Sequence, residues 1–222
     1  YGEKTEGAFD LTWRGMGNLW RFDDAFRVPD KERVEQARKN VDYRAVRLAG
    51  DTVFLERPGM AMGLGGLAKG YSVDRAARIL RDKGFPDSLV AGAGDILASG
   101  TKGGEPWRLG VQDPRQERGT LLGTLPMSGR SISTSGDYER FRMVDGVRYH
   151  HIIDPRTGWP ARACMSVTVV APTTEQTDAL STSIFILGPE KGLALAKAEG
   201  VDVLIIDAQG KRHATGALSH LK

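Results

Sequence analysis

One cysteine, Cys164, occurs in the 222 residues, so neither an intramolecular disulfide nor a multi-cysteine metal site can form. The compartment stays open, because many exported proteins manage without disulfides. No window approaches the run of about 20 apolar residues that a membrane-spanning helix requires. Charge of one sign is also scarce: Lys and Arg exceed Asp and Glu by 31 − 28 = 3. That mild excess suits an anionic small molecule, and no basic block is interleaved with aromatics, so nucleic acid is not an expected partner. Internal repeats and low-complexity tracts are missing, and only the Gly-rich stretch 99–104 reads as a flexible loop. What remains is 40% hydrophobic and 27% charged, the composition of an ordinary globular protein long enough to bury a real core. The first residue is Tyr1 rather than methionine, so the start of the chain carries no information on targeting.

Hydrophobic periodicity supplies the coarse organisation. A charged helix is expected from Asp30, its N-cap, to about Val41, followed by a hairpin of 43–49 and 52–56 around Gly50 and Asp51. After the glycines of 63–66, Val73, Ala76, Ala77 and Leu80 fall on one helical face, in a helix ending near Lys83. Strands are expected at 88–91, 107–112, 121–125, 131–134, 138–143 and 147–152, with Asp145-Gly146 as the tight turn between the last two. A buried strand at 167–170, a helix capped by Thr173 or Thr174 and running to Leu187, a helix from Pro189 to Ala198 and a strand at 203–206 complete the chain. Antiparallel runs separated by a few helices define an α+β fold rather than a doubly wound parallel sheet.

Four polar, glycine-punctuated segments exceed what folding requires. Gly65, Gly66, Ala68, Lys69 and Gly70 lie where loop becomes helix, where free N–H groups and a mobile ammonium suit a phosphate. The Walker pattern is absent, and Gly63, Gly65 and Ala68 match a dinucleotide fingerprint only loosely. A Gly-rich turn with a solvated lysine is the plain alternative. Asp178 and Thr182 are four apart on a helix and point the same way, offering oxygen ligands to a hard cation such as Mg²⁺, or simply a solvated face. Ser131 to Tyr138 brings four hydroxyls, a glycine and an acid to a strand-end turn that either bonds its own backbone or holds a ligand. Asp95 follows Gly92 and Gly94 in a second flexible strand end. Finally, 148–160 sets His151 three residues before Asp154, with Pro155 and Gly158 turning the chain after the carboxylate. A reaction on a polar substrate uses such a set, and so does an Asp-Pro turn with exposed side chains. His150 is assigned to strand packing or solvent, Cys164 to a small buried position, and Trp13, Trp20 and Trp159 to core or pocket wall.

Taken in order, these segments resemble the ApbE family, flavin transferases that move FMN from FAD onto a protein threonine. The resemblance runs through Gly-Ala-Phe-Asp at 7–10, Leu-Gly-Gly-Leu-Ala-Lys-Gly-Tyr-Ser-Val-Asp at 64–74 and Gly-Asp at 94–95. It continues through Thr-Ser-Gly-Asp-Tyr at 134–138, His-Ile-Ile-Asp-Pro-Arg-Thr-Gly at 151–158 and Asp-Ala-Leu-Ser-Thr at 178–182. It implies one mixed domain with mainly antiparallel sheets and packed helices, lacking the family's N-terminal portion. It implies Mg²⁺ held by Asp178, Thr182 and the Ala68 carbonyl, with His151, Lys69 and Asp154 as catalytic residues. FAD, as substrate, would contact Gly65, Gly66, Lys69, Tyr71, Asp74, Asp95, Thr134, Ser135, Gly136 and Thr157. Lys69 and the metal would neutralise phosphate charge while His151 relieves an acceptor threonine of its proton, AMP leaving. The acceptor would be a redox-driven pump or electron-transfer subunit, on the periplasmic side of a membrane to which a missing N-terminus would anchor the protein as a lipoprotein. FAD pyrophosphatase and a non-catalytic FAD binder are the alternatives. Two departures stand out: Gly63 replaces the family's usual aspartate, and Ala-Gly-Ala-Gly-Asp at 91–95 replaces Asn-Ala-Gly-Gly-Asp.

Overall fold

The computed structural model describes residues 1–221 and resolves the expected patterns into four helices and fourteen strands among the described residues. The helices are α1 Lys31–Arg38, α2 Ala68–Asp82, α3 Thr174–Leu187 and α4 Pro189–Glu199. The strands are β1 Val46–Ala49, β2 Thr52–Leu55, β3 Ser88–Gly92, β4 Asp95–Ser99, β5 Trp107–Gln112, β6 Leu121–Met127 and β7 Arg130–Gly136. They continue with β8 Phe141–Val144, β9 Val147–His150, β10 Ile153–Asp154, β11 Trp159–Pro160, β12 Cys164–Ala171, β13 Asp202–Asp207 and β14 Arg212–Ala214. Among the described residues every strand pair is antiparallel, so the α+β expectation holds and no parallel βαβ unit there supports the dinucleotide fingerprint. No helix among the described residues is long and apolar enough to cross a membrane.

By its internal packing the chain divides into two compact units: residues 1–64 with 139–161, and residues 65–138 with 162–221. The second is built on a six-stranded sheet of order β14-β13-β12-β7-β4-β3. Strand alternation gives this sheet two different faces. On one, Ile132, Val170, Leu204 and Ile206 pack with Leu109, Val111, Leu125 and Met127 of the β5–β6 hairpin and with Leu218 and Leu221. Each of these side chains contributes about 1.5–3 kcal/mol of burial. The other face carries Ser131, Ser133 and Ser135, whose hydroxyls bond Thr174, Thr177 and Ser181 of α3. The strand expected at 131–134 therefore extends to Gly136, and its serine hydroxyls are spent on a buried seam.

Helices α2 and α3 lock together by reciprocal capping. Both Asp74 oxygens accept from the first N–H groups of α3, at Thr174 (2.8 Å) and Glu175 (2.9 Å). An Asp178 oxygen accepts from Gly70 N–H of α2 at 3.1 Å, and α2 has no side-chain cap at Leu67. These carboxylates satisfy helix-end donors and sit at the positive ends of the helix dipoles. Gly70 is obligatory here, since a Cβ would lie 2.3 Å from the Thr174 carbonyl oxygen.

In the first unit, Trp20 donates to the Gly158 carbonyl at 2.8 Å and stacks on Tyr149, with Trp159 edge-on. Three expected boundaries shift here. The Asp42 side chain accepts from Arg44 N–H and winds 43–45 into a 3-10 turn, so β1 starts only at Val46 and α1 ends at Arg38. The strand expected from 138 begins at Phe141, and its turn to β9 uses Asp145 and Gly146, both at positive φ as a type I′ hairpin demands. β4, β10, β11 and β14 were not anticipated from sequence.

Candidate active site around Lys69

Where α2 meets α3 and β4, one lysine sits between two buried carboxylates. Lys69, in the first turn of α2, places Nζ 2.5 Å from Asp178 Oδ1 and 3.0 Å from Asp95 Oδ2. Asp95 opens β4 and Asp178 lies one turn into α3; they are 4% and 3% exposed, while the Lys69 side chain keeps 36% of its surface. Two buried carboxylates thus share one ammonium that reaches solvent. Asp95 Oδ2 makes no aligned hydrogen bond despite its distance from Lys69. Asp178, by contrast, has Lys69 on one oxygen and Gly70 N–H on the other.

The electrostatics follow. Burial pulls the Lys69 pKa down, but the hydrogen bond to Asp178 and the charge of Asp95 outweigh it, leaving it above the usual lysine range. Burial first and the Asp178 charge second raise Asp95, with Lys69 and the Ser133 hydroxyl opposing. Such a desolvated, charge-coupled group is more often found at functional sites than elsewhere.

The other proposed contacts divide. Gly65 and Gly66 form the turn entering α2, with Gly65 exposed and the space beside its Cα open to a ligand. Tyr71 is 55% exposed on the outer side of α2. The Ala68 carbonyl accepts from Ser72 Oγ at 2.7 Å, and Thr182 Oγ1 lies 3.2 Å from Ser135 Oγ. Four expectations need correction. Asp74 was assigned to FAD, but both its oxygens cap α3. Thr134 alternates to the face opposite Ser133 and Ser135 and pairs with Thr168 Oγ1 at 2.8 Å. Asp95 is a buried strand start rather than a flexible loop end, and Asp178 is buried rather than solvent-facing. Gly136 leaves room for the Tyr138 ring, which a Cβ would meet at 2.3 Å. The free N–H groups expected at the start of α2 are reduced by that of Gly70, which Asp178 takes.

His151, Asp154 and Thr157 belong to the first unit. His151 is exposed and its N–H donates to the Arg140 carbonyl. Asp154 is buried, and its oxygens accept from Arg156 N (2.9 Å), Nε (2.9 Å) and Nη2 (2.8 Å), which fixes the turn that Pro155 and Gly158 were expected to make. Thr157 Oγ1 leans toward the Asp154 carbonyl at 3.4 Å. His150 packs as expected, its ring nitrogens engaged by the Ala161 carbonyl and Ile152 N–H. Cys164 is buried, and burial together with Asp207 pushes its thiol up to about 12, so it packs rather than reacts.

Sequence reading missed Ser133, Thr177 and Ser181, although the signal was there. Ser131, Ser133 and Ser135 recur at the strand period, and Thr174, Thr177 and Ser181 recur at the helix period. The Gly63 departure has a local account: a Cβ there would lie 3.1 Å from the Trp13 ring and 3.2 Å from Arg14 Cβ, so those side chains fill the space.

Fold and site together define an α+β protein in which a lysine and two buried carboxylates meet at a helix start beside an open glycine turn. The ApbE family model matches residues 1–205, and the chain belongs to the ApbE family. The FAD:protein FMN transferase of Escherichia coli (strain K12) is 33% identical over 218 residues, 94% of this chain and 62% of that protein. That of Treponema pallidum (strain Nichols) is 37% identical over 225 residues, 93% and 62% respectively. The chain therefore spans about 62% of the length of these curated relatives. Among solved structures, the ApbE protein of Thermotoga maritima superposes with a TM-score of 0.91 at 36% identity, covering 99% of this chain and 74% of that one. The flavin transferase ApbE of Vibrio cholerae gives 0.86 at 32%, covering 99% and 72%.

Proposed function

We propose that this chain transfers FMN from FAD to a threonine hydroxyl of an acceptor flavoprotein, releasing AMP, with Mg²⁺ as cofactor. The observation that carries the reading is the cluster of Lys69, Asp95 and Asp178 at the start of α2, in a chain about a third identical to proteins named FAD:protein FMN transferase. The donor set fits a hard divalent cation. It offers a buried carboxylate of Asp178, the Ala68 carbonyl and the Thr182 hydroxyl, all oxygens, within a charge balance of two carboxylates to one ammonium. Among the described residues no three His, Cys, Asp or Glu side chains converge. Mg²⁺ suits that poverty, since it commonly takes one or two carboxylates and fills its remaining positions with water and phosphate oxygens.

When bound, the cation would draw charge off the diphosphate. Lys69 would add a positive charge to the same phosphates, and the turn at Gly65 and Gly66 would let them approach the backbone. Ser135, on the α3-facing side of β7, would orient Thr182 through its hydroxyl. His151 would accept the proton of the incoming threonine, imidazole being the side-chain type suited to a base near neutral pH. The acceptor would be a redox subunit on the outer face of the cytoplasmic membrane.

Incubation with FAD, Mg²⁺ and a threonine-bearing acceptor domain is expected to give AMP and a flavin-fluorescent acceptor band that survives denaturation. Free FMN and AMP without any band would instead make the chain a pyrophosphatase. FAD binding with no AMP would make it a carrier. Replacing His151 by alanine is expected to slow transfer while leaving FAD binding intact.

A further inference from the structure

We propose that Lys69 is the resident counter-ion of the metal site and that Asp95 is its resting place when a divalent cation arrives. The inference rests on the metal reading above. The ammonium and a metal compete for one carboxylate: Asp178 Oδ1, the oxygen pointing away from the Gly70 cap, is already held by Lys69 Nζ at 2.5 Å. A doubly charged cation on that oxygen would face the ammonium across a few ångströms in a buried setting, where repulsion is poorly screened. Lys69 must therefore leave Asp178, and the structure supplies a destination. Asp95 Oδ2 lies 3.0 Å from the same Nζ, is buried, and makes no aligned hydrogen bond. A buried acceptor in that condition is costly unless something completes it. A small rotation of a flexible four-carbon stem completes it, trading one ion pair for another without leaving a buried charge alone. The side chain keeps 36% of its surface exposed, which gives the swing room. In this arrangement Asp95 assists metal binding without touching the metal, and Lys69 opposes it until phosphates arrive to share its charge.

The two residues thus act with opposite sign, which separates the exchange from a purely structural cluster and from a three-ligand metal site. The experiment titrates Mn²⁺ alone, without FAD, into the full chain and reads free Mn²⁺ by its EPR signal. Lys69→Gln is expected to bind Mn²⁺ about tenfold more tightly than the parent and Asp95→Asn about tenfold more weakly, the scale expected for a nearby charge in a partly screened site. In Lys69→Gln the further change Asp95→Asn is expected to matter by no more than about twofold, because Asp95 acts through the lysine. Unchanged or weaker binding by Lys69→Gln overturns the proposal. So does an Asp95→Asn penalty that persists without Lys69, which would make Asp95 a ligand itself. Should Lys69→Gln not fold, Lys69→Met takes its place in both comparisons, and unchanged or tighter binding by Asp95→Asn sinks the exchange by itself. If neither the parent nor any variant binds Mn²⁺, the metal reading falls and the exchange falls with it.

Discussion

Two carboxylate–cation groupings, one in each unit, are built from the same chemistry and do different work. Asp154 and Arg156 are two residues apart, and every contact that fixes them is local: side chain to side chain, and side chain to the Arg156 N–H. All demand is met within one turn. Lys69, Asp95 and Asp178 come from α2, β4 and α3, with Lys69 and Asp178 separated by 109 positions. That grouping leaves one buried oxygen short of a hydrogen bond and one cation short of full burial. A self-satisfied local pair shapes backbone. A long-range cluster that is desolvated and incompletely satisfied is costly to fold, and it is the one of the two with capacity left for a ligand.

Breaking the long-range cluster should cost most. Asp178→Ala removes the Gly70 cap and the shorter of the two Lys69 ion pairs, leaving Lys69 to Asp95, and is expected to destabilise by about 1–3 kcal/mol in urea unfolding, with loss of any metal-dependent AMP release. A variant that folds as well as the parent would mean that the carboxylate is not a keystone of the α2–α3 contact. Next comes Asp74→Ala, which uncaps α3 by two N–H bonds and should cost about 1–2 kcal/mol, visible as a lowered thermal midpoint. Arg156→Ala tests the local pair: its head is partly solvated, so a loss of about 0.5–1 kcal/mol is expected, with metal affinity unaltered. A loss comparable to that of Asp178→Ala would erase the contrast. The smallest effect is a gain. Ala93 adopts φ +50 and Gly94 φ +95 in the β3–β4 turn, whereas the family pattern has glycine at both positions. Ala93→Gly should therefore stabilise by about 0.5–1 kcal/mol, measured as a shift in the urea midpoint at constant slope.

Helices α2 and α3 were legible because their apolar spacing and their boundaries agree: Thr173 does cap α3 through its hydroxyl, and Gly188 does end it. The β5–β6 and β8–β9 hairpins were legible for the same reason, short alternating runs around turn residues. β4 was not, since Gly92 and Gly94 made its start look like loop, yet Gly92 is there because a Cβ would press on Val73 of α2 at 2.9 Å. At the site, sequence named Lys69, Asp95 and Asp178 but could not say that they touch, because nothing in local spacing encodes which distant carboxylate meets an ammonium. It also put Thr134 beside Ser135, which the strand period alone would have separated had β7 been extended to Gly136. Asp74 misled for a related reason: an acid in the second turn of a helix can face a ligand or the end of a neighbouring helix, and only packing distinguishes them.

The most direct test is crystallographic: grow the protein with Mn²⁺ and FAD and collect anomalous data at the manganese edge. The account predicts a single strong peak bound by the Asp178 carboxylate, with Lys69 moved off Asp178 to lie between Asp95 and the diphosphate. A peak elsewhere, with Lys69 still bridging both carboxylates and the flavin nucleotide remote from Gly65, would contradict it.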